Sequence, residues 1–166
     1  MAAAGPGGAS VVLTPLRVED AAEMAGVLAD PSLYAFTGGE PPDVPALTAR
    51  YRAQVVGHSP DGRQRWINRV VRRTSDGRAV GYVQATIDLA TGTAELAWVV
   101  GVPWQGRGHA RAAVALVLAE LASEGVTRYV AHVHPGHAAS AAVASRAGLS
   151  PTGRVVDGEV EWVSGG

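Results

Sequence analysis

The sequence contains neither cysteine nor lysine. Without cysteine there is no disulfide, no thiol nucleophile and no cysteine-ligated zinc or iron–sulfur centre. Without lysine there is no P-loop lysine and no Schiff-base lysine, which removes ordinary pyridoxal chemistry. All 14 basic residues are arginine. Long apolar runs are missing as well: the longest, AAVALVLAELA, is interrupted by Glu120 and is too short to span a bilayer. The opening MAAAGPGGAS has no basic n-region and no apolar core, so it reads as a flexible leader over residues 1–10 rather than a signal peptide. A cytoplasmic location is the default expectation.

What is present points to a globular protein. The chain has 166 residues, 47% hydrophobic and 17% charged, enough for one domain with a core, expected over residues 11–166. A net charge of −1 supplies no field toward nucleic acid or an anionic membrane, and neither is expected as a partner. Strand patterns occur at 11–18, 65–73, 79–88, 94–100 and 128–134. Helical patterns occur at 19–30, 44–56, 108–124 and 138–147. RVV-DG-EVEWV closes the chain as a hairpin with an Asp-Gly turn. In the third helix Val114, Val117, Leu118 and Leu121 follow helical spacing and predict its buried face.

The stretch VPWQGRGHA, residues 102–110, sits between the strand at 94–100 and that helix. Gly106 and Gly108 let backbone N–H groups approach an anion without a Cβ in the way, and the helix dipole behind them favours negative charge. Arg107, His109 and Arg111 add donors nearby. A pyrophosphate-sized site is one reading, and a plain glycine turn is the other. A Walker A loop lacks its Lys-Ser/Thr ending here. A dinucleotide fingerprint lacks both the third glycine, where Arg111 stands, and an acidic residue near 127–131.

Gln105-Gly106-Arg107-Gly108-His109-Ala110 fits Gln/Arg-x-x-Gly-x-Gly/Ala and resembles the acyl-CoA loop of the GNAT N-acetyltransferase superfamily. AELAWVVGVPW before it looks like that family's fourth strand. AHVHPGHAASAAVASRAGLSPTG after it resembles the block over the fifth strand and following helix. LTPLRVEDAAEM is similar to the opening of the branch containing ribosomal-protein N-terminal acetyltransferases and some aminoglycoside acetyltransferases. The resemblance spans residues 11–163. It implies an α/β GNAT fold with a central mixed, mostly antiparallel sheet flanked by helices. It also implies an enzyme transferring acetyl from acetyl-CoA to a primary amine, either a protein N-terminus or a small molecule.

Carried over by position, the resemblance implies that Val100 and Val102 offer backbone groups to pantetheine. Backbone N–H groups of Gly106, Arg107, Gly108, His109 and Ala110, flanked by Gln105 and Arg111, would hold the pyrophosphate. Ser140 matches a helix serine beside the cofactor, and His137 stands where the family usually has Asn. Ala144 replaces a tyrosine that protonates the departing thiolate in many relatives, so no general acid carries over. A CoA thiolate, with a thiol pKa of about 8.5, is a tolerable leaving group without one.

Glu95 is the expected catalytic residue. Strand alternation places it with Ala97 and Val99 on one face, opposite Leu96, Trp98 and Val100, and burial there would raise its pKa toward the range of a general base. It also matches a glutamate acting as base in several family members, removing a proton from the substrate ammonium through water. His132, His134 and His137 invite a metal reading. However, the strand ends near Pro135 and two of them fall on variable positions of the family block, so no metal is expected and a surface role is assigned. Residues 19–43 carry six acidic and no basic side chains, either a wall attracting a cationic amine or a solvated face. Residues 61–78 carry a local +4, read as solvated arginines. Trp66, Trp98 and Trp162 read as core, while Tyr34 is the one aromatic expected to reach the acceptor. A monomer or homodimer is expected. Ala144 and His137 also motivate an alternative, an acyl-CoA-binding module without catalysis.

Overall fold

A computed structural model of the chain describes residues 10–165, so the expected leader lies outside the described residues except for Ser10. The elements in chain order are β1 (Val11–Pro15), α1 (Ala21–Val27), α2 (Val44–Gln54), β2 (Gln64–Arg73), β3 (Ala79–Asp88), β4 (Thr93–Val100), α3 (His109–Ser123), β5 (Arg128–Val133), α4 (Ala138–Arg146), β6 (Leu149–Val156) and β7 (Glu159–Ser164). The strands form one sheet in the order β1-β2-β3-β4-β5-β7-β6. Only the β4–β5 pair is parallel, because α3 carries the chain back across the sheet between them. Elsewhere short turns impose antiparallel pairing. At Asp157-Gly158 both φ angles are positive, +50° and +81°, as a two-residue hairpin turn matched to strand twist requires.

Helices cover both faces. Asn68 Nδ2 reaches the Gln54 carbonyl of α2, while its neighbour Arg69 pairs with Glu120 of α3. Adjacent strand residues point to opposite faces, so α2 and α3 lie on opposite sides of the sheet. Val114, Val117 and Leu121 of α3 are buried and Leu118 is half-buried, which is the face expected from their spacing. Val70, Val71, Val80 and Val83 are fully enclosed between the layers, each stabilising the fold by about 1.5–3 kcal/mol relative to exposure.

The uneven charges are largely absorbed by the fold. Arg72 donates to Asp20 at 3.0 Å and to Glu23 at 2.7 Å, while Asp30 and Asp43 accept backbone N–H groups at helix starts. Four of the six carboxylates of 19–43 are therefore engaged locally rather than forming an open acidic wall. Arg65, Arg69 and Arg73 pair with Glu124, Glu120 and Asp76. Among the described residues no helix is long and apolar enough to cross a membrane.

Candidate active site

The parallel register of β4 and β5 runs from Thr93↔Arg128 to Leu96↔Ala131 and stops there. β4 continues to Val100 and β5 to Val133, so the sheet opens into a wedge. Backbone groups of residues 97–100 facing the wedge have no strand partner across it, leaving an edge able to pair with an extended ligand. One of them is already used: the Val100 carbonyl accepts a hydrogen bond from Gln105 Nε2 at 2.9 Å.

A cleft of about 570 Å³ fills the wedge and reaches the start of α3. Gln105, Gly106, Gly108, His109, Ala110 and Arg111 all line it. Gly106 and Gly108 have φ of +74° and +81°, the left-handed turn that hands the chain into α3. No side chain caps that helix, so its first N–H groups remain available at the positive end of the dipole. Val102 and Arg107 do not line the cleft. Val102 lies in a 3-10 turn over Val102–Trp104, with its carbonyl accepting the Gln105 N–H. Gly101 makes that turn possible, since a Cβ there would meet the Trp104 ring and the Val27 carbonyl at 2.8 Å.

His109 departs from expectation. Its ring is buried, and neither ring nitrogen has a hydrogen-bond partner. Burial, with Arg73 and Arg107 adding to it, pushes its pKa down and keeps it neutral. A depressed histidine pKa gives stability that is complete above the unfolded value of about 6.5 and lost as pH falls toward the folded value. His109→Leu is expected to stabilise the fold by about 1–2 kcal/mol at pH 7 through relieved polar burial, seen as a higher melting temperature, and to flatten the decline below pH 6.5. Thermal unfolding from pH 5 to pH 8 checks this.

His137 is the N-cap of α4. Its Nδ1 accepts the Ser140 N–H at 3.3 Å, which leaves Nε2 as the protonated nitrogen, 3.2 Å from Ser140 Oγ. The imidazole N–H is thus committed to Ser140, whose own hydroxyl hydrogen stays free toward the cleft. Burial lowers the His137 pKa. Ala144 is fully buried among Ala131, Val133 and Leu149 and brings no polar group to the site.

Glu95 opens onto the cleft, but its side chain is 55% exposed, so the desolvation expected for it is absent. Its Oε1 stands 3.2 Å from His132 Nδ1. Tyr34 does not line the cleft. A 3-10 turn over Pro31–Tyr34 curls the segment so that the phenol donates to the Leu28 carbonyl at 3.0 Å. Phe36 takes the place expected for it, stacking on His137 at 4.6 Å and tilted against His134 at 4.9 Å. Trp98, expected in the core, also lines the cleft, and Trp66 and Trp162 are only partly buried. Phe36, Trp98 and His132 were not legible as site residues, because only tertiary packing brings them there. Among the described residues no group of three or more His, Asp or Glu side chains is arranged to hold a metal ion.

Comparison with known proteins agrees with this geometry. The family model described as Acetyltransferase (GNAT) domain matches residues 10–150. Comparison with curated proteins yields no match. Among solved structures, AAC(6')-Ib in complex with paromomycin and acetyl-CoA superposes with a TM-score of 0.77 at 17% identity, covering 93% of each chain. RimL, a ribosomal L7/L12 alpha-N-protein acetyltransferase in complex with coenzyme A, gives 0.78 at 13% identity over 95% of each chain. A spermidine N-acetyltransferase SpeG chimera from Vibrio cholerae and hSSAT gives 0.74 at 16% identity over 93% of each. These similarities establish the fold, and the family match covers most of the chain: the protein belongs to the GNAT acetyltransferase family.

Proposed function

We propose that this chain transfers the acetyl group of acetyl-CoA to a primary amine, with Glu95 as general base and the domain over residues 11–166 as the catalytic unit. The observation that carries this reading is a single cleft that joins the unpaired end of β4, the glycine turn before α3 and the Glu95 carboxylate. An extended pantetheine arm fits the open β4 edge as an added strand would. Its pyrophosphate fits the N–H groups around Gly106 to Arg111. Structural neighbours solved with acetyl-CoA, and with an aminoglycoside or named for a ribosomal protein, support both the donor and the amine class.

In this mechanism Glu95, directly or through water, removes a proton from the substrate ammonium, and the freed amine attacks the thioester carbonyl. The C–S bond breaks, and the thiolate takes the second proton released from nitrogen. No covalent enzyme intermediate is needed, consistent with the lack of cysteine and lysine.

The anion site carries its own prediction. A Cβ at Gly106 meets nothing within 4 Å in the protein itself, yet its φ of +74° is one that L side chains rarely adopt, so alanine there strains the turn that presents the N–H groups. Gly106→Ala is expected to weaken coenzyme A binding about ten- to hundredfold through one lost charge-assisted hydrogen bond, measured by calorimetry. The function is tested by free-thiol release from acetyl-CoA across a panel of alkyl amines, aminoglycosides and N-terminal peptides. Release that depends on an amine supports it. Tight binding without turnover on the whole panel favours the acyl-CoA-binding alternative. Failure to bind acetyl-CoA overturns both.

A further inference from the structure

Three adjacent strands bring Glu95, His132 and Glu161 into one row. Glu95 is in register with Val130 across β4–β5, and His132 pairs with Glu161 across β5–β7. Because His132 is two residues beyond Val130, all three side chains lie on the same face of the sheet. His132 Nδ1 is 3.2 Å from Glu95 Oε1, and its Nε2 is 3.9 Å from Glu161 Oε2. Exposure falls from 55% at Glu95 to 21% and 18% at His132 and Glu161, along a row that runs from the cleft across β5 and β7 toward the β6 edge of the sheet.

We propose that His132 is a proton-relay and positioning residue: its Nδ1 takes the proton that Glu95 removes from the acceptor, and Glu161 steadies the resulting imidazolium at Nε2. The inference rests on the reading of Glu95 as base. A carboxylate that has accepted a proton must give it up before the next turnover, and an imidazole is ordinarily the stronger base by about 2 pH units. The proton leaves Glu95 Oε1 for Nδ1, the carboxylate is regenerated, and the imidazolium then returns to neutrality by releasing a proton to water. The remaining charged and titratable neighbours are accounted for. Arg154 Nη1 lies 3.7 Å from Glu161 Oε2, and Thr152 Oγ1 donates to Glu161 Oε1 at 3.3 Å. His134 shares the β5 face, but its Nδ1 accepts the Gly136 N–H, and Glu159 lines the cleft from β7.

The relay requires a neutral imidazole, so the rate falls as pH falls through the ionisation of His132. With acetyl-CoA and the best amine of the panel, His132→Gln is expected to lower kcat about ten- to hundredfold. The acid limb should disappear and acetyl-CoA affinity stay within twofold. The double variant Glu95→Gln/His132→Gln should be no slower than Glu95→Gln, and added imidazole should restore rate to His132→Ala. Wild-type kcat and pH profile in His132→Gln, with Glu95→Gln impaired, overturn the relay and leave the base intact. An unimpaired Glu95→Gln overturns the base and the relay together. Multiplicative losses without imidazole rescue overturn the relay in favour of a structural role.

Discussion

Glu95→Gln is expected to lower amine-dependent thiol release by a factor of about 10²–10⁴ at neutral pH, with acetyl-CoA affinity unchanged. Gln keeps the shape of the side chain, and Glu95 stands apart from the glycine turn, so the loss should fall on kcat with the donor bound. The reason lies in the acceptor: an ammonium has no lone pair, and attack on the thioester waits for its proton to leave. The size of the effect therefore depends on the amine. An α-amino group, with a pKa near 8, is largely neutral by pH 9, whereas an alkyl amine near 10.4 is still charged. Raising the pH from 7 to 9 should shrink the Glu95→Gln defect for an N-terminal peptide and leave most of it for an alkyl amine. Pre-steady-state thiol release with each acceptor class checks this. An equal defect for both classes at both pH values would remove proton abstraction from the role of Glu95.

Departure of the thiolate needs no acid at position 144, where Ala144 is sealed against Leu149. Ser140 is better placed, since His137 donates to its oxygen and leaves the hydroxyl hydrogen free at the cleft.

Element order, the glycine turn and the strand face of Glu95 were legible in the sequence because each is encoded locally. Apolar spacing sets strand and helix, two glycines permit positive φ, and strand alternation gives Glu95 its face. The row of Glu95, His132 and Glu161 was not legible. Read along β5, His132 is one polar residue at a variable position, and its partners are set by registers across three strands separated by long stretches of chain. Tyr34 and His109 misled for a related reason. The 3-10 turn at Pro31–Tyr34 reverses the phenol onto the Leu28 carbonyl, and packing encloses the His109 imidazole with neither ring nitrogen hydrogen-bonded. Each outcome depends on what packs above the residue, which no local pattern records. The burial anticipated for Glu95 is not found: it is still paired with Val130 just before the strands part, and its side chain is 55% exposed.

Gly81→Ala is expected to be strongly damaging. Gly81 pairs with Val100, and a Cβ there would lie 2.1 Å from the Val99 carbonyl oxygen and 3.0 Å from Val100 Cα. Both obstacles are backbone, so no rotamer relieves the clash and β3 must separate from β4. The same few residues hold the wedge: the Gly101 N–H donates to the Val80 carbonyl at 2.8 Å, and Gln105 hangs from Val100. The φ of Gly81 is not positive, so the cost is steric rather than conformational strain. A loss on the order of 3 kcal/mol is expected, which lowers the melting temperature by roughly 6–12 °C. Coenzyme A binding should weaken with it, because the β4 edge and the glycine turn move as one piece. Gly26→Ala supplies the contrast: it lies in α1 with nothing within 4 Å of a new Cβ, and should stabilise by about 0.5–1 kcal/mol. If Gly81→Ala instead melts like wild type and binds coenzyme A normally, β3 and β4 do not approach as described, and the wedge loses the strand that holds it open.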